Sequence, residues 1–166
     1  DAVLAPSSLY GCSKLFVEMS VADYSRYFEV IITRPFNYTG RGQTTEFLVP
    51  KLIEGAKTSQ TVRLGNTNIA REFNDVRDVA VIYRRLLDVK ISQPIVNICS
   101  STPHRITDLI SKLEASTGKH LPILIEKTLI RPNDPPIVSG SNVRLLNLVP
   151  GCSFRSLSET IDWMLE

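Results

Sequence analysis

Short β-branched or apolar runs alternate with longer segments of helical period along nearly the whole chain, and this alternation limits the fold more than any other feature. Val30-Ile31-Ile32-Thr33, Thr61-Val62-Arg63-Leu64, Ile95-Val96-Asn97-Ile98-Cys99 and Pro122-Ile123-Leu124-Ile125 have the length and residue types of strands, with a further strand-like touch at Glu72-Phe73-Asn74. Continuous apolar runs suit strands covered on both faces, as in a parallel sheet. Between them, helices are expected over Ser7 to Phe28, with Leu9, Cys12, Phe16, Met19 and Tyr27 apolar; over Phe47 to Ala56, with Pro50 in the first turn; and from Asp75 to Val89. A helix capped by Thr107 and ended by Gly118 follows, and two short helices near Asn142 to Asn147 and Ser156 to Leu165 close the chain. Strands alternating with helices define an α/β architecture with a mainly parallel sheet.

Composition removes several functional classes. Hydrophobic residues make up 43%, charged residues 22%, and the net charge is +2. No basic stripe points to nucleic acid, no apolar run reaches the length of a membrane span, and no leader pattern opens the chain. Cys12, Cys99 and Cys152 form an odd, scattered set without a C-x-x-C pair, so neither a metal site nor a disulfide framework is expected. They read as small buried hydrophobes in a reducing, cytoplasmic compartment. His104 and His120 read as surface histidines, Trp163 as an apolar anchor for the last helix.

Tyr10 and Lys14 stand one helical turn apart and share a face of the first expected helix. A phenol parts with its proton reluctantly near neutral pH, and a fixed ammonium beside it favours the phenolate, which is the chemistry of a general acid/base. The same spacing also fits an amphipathic helix with a tyrosine at its core edge and a lysine in solvent. The surrounding text bears on the choice: Tyr10-Gly11-Cys12-Ser13-Lys14 follows Pro6 and is itself followed by Arg34-Pro35-Phe36-Asn37 with Thr39-Gly40 and Gly42-Gln43.

Together these segments resemble the extended short-chain dehydrogenase/reductase family, the epimerases and dehydratases of nucleotide sugars. The Arg34 to Gln43 text is most similar to the branch that reduces GDP-4-keto-6-deoxymannose. In that family a glycine-rich turn, an acidic residue that reads the adenosine ribose and a catalytic serine or threonine lie upstream of the tyrosine. None of the eight glycines here makes such a turn, so the resemblance implies the C-terminal half of such an enzyme. The implied fold is the C-terminal part of a Rossmann-like parallel sheet plus a small α/β substrate-binding region. Residues 1–40 would carry the catalytic helix and the sheet, and 41–166 mostly the substrate region, with segments near 73–100 returning to the sheet.

The resemblance also implies roles. Tyr10 would pass a proton to or from the sugar oxygen, and Lys14 would activate it and hold the nicotinamide ribose of NAD or NADP. Pro35 and Phe36 would lie beside the nicotinamide. Asn37 would reach the nucleotide sugar, Val49 and Gly65 its base and ribose, and Arg71 and Arg131 its diphosphate, for which planar guanidinium groups are suited. Asp75 and Asp78 would support a helix start and hold Arg77 or Arg71. The expected activity is reduction of a GDP-linked 4-keto-6-deoxyhexose, ahead of 4-epimerisation. A third reading is a non-catalytic fragment that binds sugar nucleotide or associates with other chains. Expected partners are the nucleotide sugar and either a second copy of the chain or a missing N-terminal half.

Overall fold

The computed structural model describes residues 3–90, 95–132 and 134–166. Asn133, within the Arg131 to Asp134 motif, lies outside the described residues.

The first helix, α1, spans Leu9–Ala22, and the Ser8 hydroxyl caps it by accepting the Gly11 N–H at 3.1 Å. The expected single helix to Phe28 stops early and tightens into a 3-10 turn over Asp23–Arg26. Asp, Tyr and Ser gain little from helical backbone, and no packing compensates for them here. The apolar residues of this helix are in solvent: Leu9 is 91% exposed, Phe16 71% and Met19 66%.

Strand β1 (Ile32–Pro35) lies two residues later than the expected run. It pairs in parallel with β6 (Ile95–Ile98), with Ile32 opposite Ile95 and Pro35 opposite Ile98. Proline has no N–H to continue a ladder, and the next donor, Phe36 N–H, closes the pair on the Ile98 carbonyl at 3.0 Å. Beyond it, β2 (Tyr38–Thr39) runs parallel to β5 (Asn74–Asp75). The helix α2 (Leu48–Thr58) leads to β3 (Val62–Leu64), which pairs in parallel with β8 (Ile123–Ile125). The centre of a mixed three-stranded sheet is β4 (Ala70–Arg71), flanked by antiparallel β7 (His104–Arg105) and parallel β9 (Ile137–Val138). Glu72-Phe73-Asn74 is therefore not one strand: Glu72 and Phe73 link β4 to β5, which begins at Asn74.

The remaining helices are α3 (Val76–Leu86), α4 (Ile106–Thr117), α5 (Val143–Leu148) and α6 (Leu157–Leu165). Thr107 lies inside α4 rather than capping it. Arg105 holds the cap position, and its own N–H is taken by the Asp108 carboxylate at 3.2 Å, as the acid of a capping box does. Gly118 ends α4 as expected, at φ 65°.

Two cores result. One joins α2, α4, α6 and β3 through Leu52, Leu109, Leu113 and Ile161; the other joins α3, α5 and β6 through Ile82, Val96, Ile98 and Leu145. Burying each such side chain fully contributes about 1.5–3 kcal/mol. Among the described side chains, none of α1 belongs to either core. Cys99 is buried and Cys152 half-buried, but Cys12 is exposed, so the expectation of buried thiols fails on the one helix that lacks a partner. His120 is exposed beside Glu114, whereas His104 is half-buried in β7, where burial and then Lys112 push its pKa down. Among the described residues no helix is long and apolar enough to cross a membrane.

Candidate active site

A cleft of about 860 Å³ opens where the first turn of α1, the β1–β2 connection, the start of α2 and the end of β3 converge. Of the residues singled out from the sequence, Tyr10, Pro35, Phe36, Asn37, Val49, Gly65, Arg71 and Arg131 all line it. Lys14 does not line the cleft; its Nζ sits over the Tyr10 ring, 5.2 Å from the centroid, within reach of a cation–π attraction.

Glu18, which sequence reasoning passed over, fastens this pair to the sheet. It falls at i+8 from Tyr10 and i+4 from Lys14, on the same helix face. Its carboxylate takes two hydrogen bonds from Arg34, at 2.9 and 2.6 Å. The Arg34 hydrogen bond holds the Glu18 carboxyl below its ordinary range, and the arginine is raised in return. Since Arg34 immediately precedes Pro35, the clamp sets the Tyr10 face against the Pro35–Phe36 wall.

The β1–β2 connection is itself held from behind. Both the backbone N–H of Asn74 and its side-chain amide donate to the Asn37 carbonyl, at 2.9 and 3.0 Å, leaving the Asn37 side chain at the exposed cleft edge. Thr39 donates to Gln43 Oε1 at 2.8 Å, bracing the loop that follows.

On the opposite wall, Arg71 extends from β4 with its side chain only 12% exposed. It donates to the Ala70 carbonyl at 2.7 Å and pairs with Asp134 at 2.5 Å. Of the two acids expected at the start of α3, Asp75 caps it by accepting the Arg77 N–H and holds the Arg77 side chain at 2.6 Å as expected, besides accepting from Thr160, while Asp78 pairs with Arg155 instead. Burial pushes Asp75 upward, but the hydrogen bonds from Arg77 and Thr160 outweigh it and hold the carboxyl below its ordinary range. Arg77 then stacks on Trp163 at 3.8 Å, so the half-buried Trp163 meets a cation as well as apolar neighbours.

Gly65 marks the close approach of β3 to the segment bearing Arg131. A Cβ there would stand 2.5 Å from the Leu129 carbonyl oxygen, so only glycine lets these backbones meet. Val49 is 2% exposed and packed in the first core, which leaves its backbone to face the cleft. Arg131 is exposed and pairs with no carboxylate among the described residues.

A mainly parallel α/β frame of this kind is Rossmann-like. The chain belongs to the NAD dependent epimerase/dehydratase family, which it matches over residues 1–99. It is 30% identical over 145 residues to the GDP-6-deoxy-D-talose 4-dehydrogenase of Aggregatibacter actinomycetemcomitans, covering 87% of this chain and 49% of that protein. It is 28% identical over 149 residues to the GDP-6-deoxy-D-mannose reductase of Pseudomonas aeruginosa, covering 84% of this chain and 49% of that protein. The structure of RMD from Pseudomonas aeruginosa, complexed with NADPH, superposes with a TM-score of 0.85 at 26% identity, over 97% of this chain and 56% of that one. The chain thus spans about half the length of the relatives it matches.

Proposed function

We propose that this chain carries the substrate-binding and proton-transfer half of a nucleotide-sugar oxidoreductase that reduces a GDP-linked 4-keto-6-deoxyhexose. The observation that carries the reading is the single cleft shared by Tyr10, the Pro35–Asn37 connection and Arg71. The two relatives named for GDP-6-deoxy sugars supply the substrate class.

The residues present fit the nicotinamide end of NAD or NADP, because Tyr10 with Lys14 over its ring stands at the same cleft as Pro35 and Phe36. When bound, the cofactor supplies hydride to the carbonyl carbon of the sugar. Tyr10 gives its phenolic proton to the carbonyl oxygen, so that the ketone becomes an alcohol and the charge left on the phenol is stabilised by the Lys14 ammonium. Arg71, aimed by Asp134, and Arg131, three residues before Asp134, bind the two phosphates. The Asn37 amide, which can donate and accept, orients the sugar.

A nucleotide-sugar 4-epimerase would use the same Tyr10 and Lys14 in oxidation followed by reduction, and the family's own description favours keeping that reading. The exposed apolar residues of α1 support association, either of two copies into a homodimer or with a glycine-rich half of the sheet. Calorimetric titration with GDP-mannose, NADPH and NADH tests the proposal. Sugar-nucleotide binding that is lost in Arg71→Ala supports it. Reductase turnover that disappears in Tyr10→Phe, in a preparation that also binds reduced cofactor, identifies the reaction. Binding of neither ligand overturns the reading and leaves an association fragment.

A further inference from the structure

The segment from Ala70 to Asp75 alternates its side chains between two environments, as extended backbone must. Arg71 and Phe73 face the cleft, whereas Glu72 and Asn74 point away from it and are 1% and 2% exposed. A carboxylate this deeply buried needs its lone pairs filled. Glu72 Oε1 accepts from the Ser139 hydroxyl at 3.0 Å and the Gly140 N–H at 2.7 Å. Oε2 accepts from the Ser100 hydroxyl and the Ser101 N–H, both at 3.1 Å. All four donors are neutral, and they come from two segments far from Glu72 in sequence.

Each segment backs a residue that lines the cleft. Gly140 backs the Phe36 ring so closely that a Cβ would stand 2.6 Å from it. Ser100 donates its N–H to Asn74 Oδ1 at 2.9 Å, and Asn74 in turn grips the Asn37 carbonyl. Ser101 sits at φ 61°, a left-handed conformation that a serine adopts only when something holds it, and its N–H is one of the four.

We propose that Glu72 is a positioning residue that locks the Phe36–Asn37 connection and the Arg71 strand into one frame, fixing the spacing between the cofactor side and the diphosphate side of the cleft. The inference deepens the nucleotide-sugar reading above and rests on it for the roles of those residues.

Glu72→Gln is the discriminating substitution. Each carboxylate oxygen receives one backbone N–H, so either orientation of the new amide sets its NH₂ against an N–H that cannot accept. Two readouts on the full chain apply: backbone amide NMR signals, and GDP-mannose affinity measured well below the melting temperature of each variant. The expected result is a joint displacement of the Phe36, Asn37 and Arg71 signals with about a tenfold loss of affinity. Ser139→Ala, which removes a single hydroxyl donor, is expected to move the same signals less and in the same direction. It decides the question alone if Glu72→Gln fails to fold. Displacements confined to residues 100–101 and 139–140, with affinity unchanged, overturn the proposal. If the unaltered chain binds no GDP-mannose, the nucleotide-sugar reading fails, while the amide signals still decide whether Glu72 sets the frame.

Discussion

Replacing Glu18 by glutamine tests how the helix that carries Tyr10 is fastened. Among the described side chains, helix α1 contributes none to either core, and the Glu18–Arg34 clamp joins it to β1 through two hydrogen bonds of 2.9 and 2.6 Å. Fully exposed pairs contribute about 0.2–1 kcal/mol, and buried hydrogen bonds to charged groups about 1.5–3 kcal/mol. With side chains 30% and 22% exposed, this pair falls between them, at about 1–2 kcal/mol. A helix of fourteen residues is marginal in water once undocked, so undocking and unfolding of α1 coincide. Native-state hydrogen exchange of α1 amides is therefore expected to accelerate roughly 5–30-fold in Glu18→Gln, while amides of α4 keep their protection. The dependence on pH has a fixed sign. Arg34 depresses the folded-state pKa of Glu18 below its ordinary value of 4.5, so the contribution is complete above that value and disappears as pH falls through the lower, folded one. Unchanged exchange in α1, equal acceleration in α4, or a difference from the unaltered chain that persists in strong acid would each refute the reasoning.

Asp75→Asn is expected to cost about 1.5–3 kcal/mol, because a buried carboxylate that accepts from Thr160 and from the partly exposed Arg77 becomes a neutral amide; urea unfolding measures it, and a loss below about 0.5 kcal/mol would contradict the pairing as drawn. Gly65→Ala is expected to weaken GDP-mannose binding about tenfold with the fold kept, since the new methyl must push Leu129, and with it Arg131, away from β3; unaltered affinity in a titration would show that the Arg131 segment is not held there. A thiol reagent near neutral pH is expected to modify Cys12 first, Cys152 slowly, and Cys99 only on unfolding, because burial and then the Glu72 charge push the Cys99 thiol up to about 11. Mass spectrometry of the partly labelled chain reads the order.

Elements whose residues carry their own signal were legible in the sequence. The run Ile95 to Cys99 is apolar but for Asn97 and holds β6, and Gly118 stops α4 in the left-handed conformation that glycine tolerates. The two-residue strands β2, β7 and β9 were not legible, because so short a strand has no periodicity and exists only through its partner. The candidate site divides in the same way. Arg71 and Asn37 stand out by chemical type and neighbouring text. Asp134 as the partner of Arg71 is a contact across 63 positions that no local pattern encodes. Glu18 could have been found from its i+8 relation to Tyr10, but nothing short of the fold supplies Arg34 as its mate.

The two sides of the cleft are anchored very differently, and this bears on how the chain would act. Arg71, Asn37 and Gly65 are attached to segments whose neighbours are buried, so that side of the cleft inherits the stability of both cores. Tyr10 and Lys14 ride on a helix that exposes Leu9, Phe16 and Met19 and is fastened chiefly by one clamp. Local opening free energies differ most where buried apolar contacts differ most. Sugar-nucleotide binding is therefore expected to survive conditions, such as mild urea, that already release α1. Whatever covers the apolar side of α1 would raise the stability of the Tyr10–Lys14 pair without changing the affinity of the Arg71 side for the proposed ligand. Following Trp163 fluorescence for the core and exchange at the Tyr10 amide for α1 across a urea series separates the two. Coincident midpoints would mean that α1 is as firmly built into the fold as the sheet it serves.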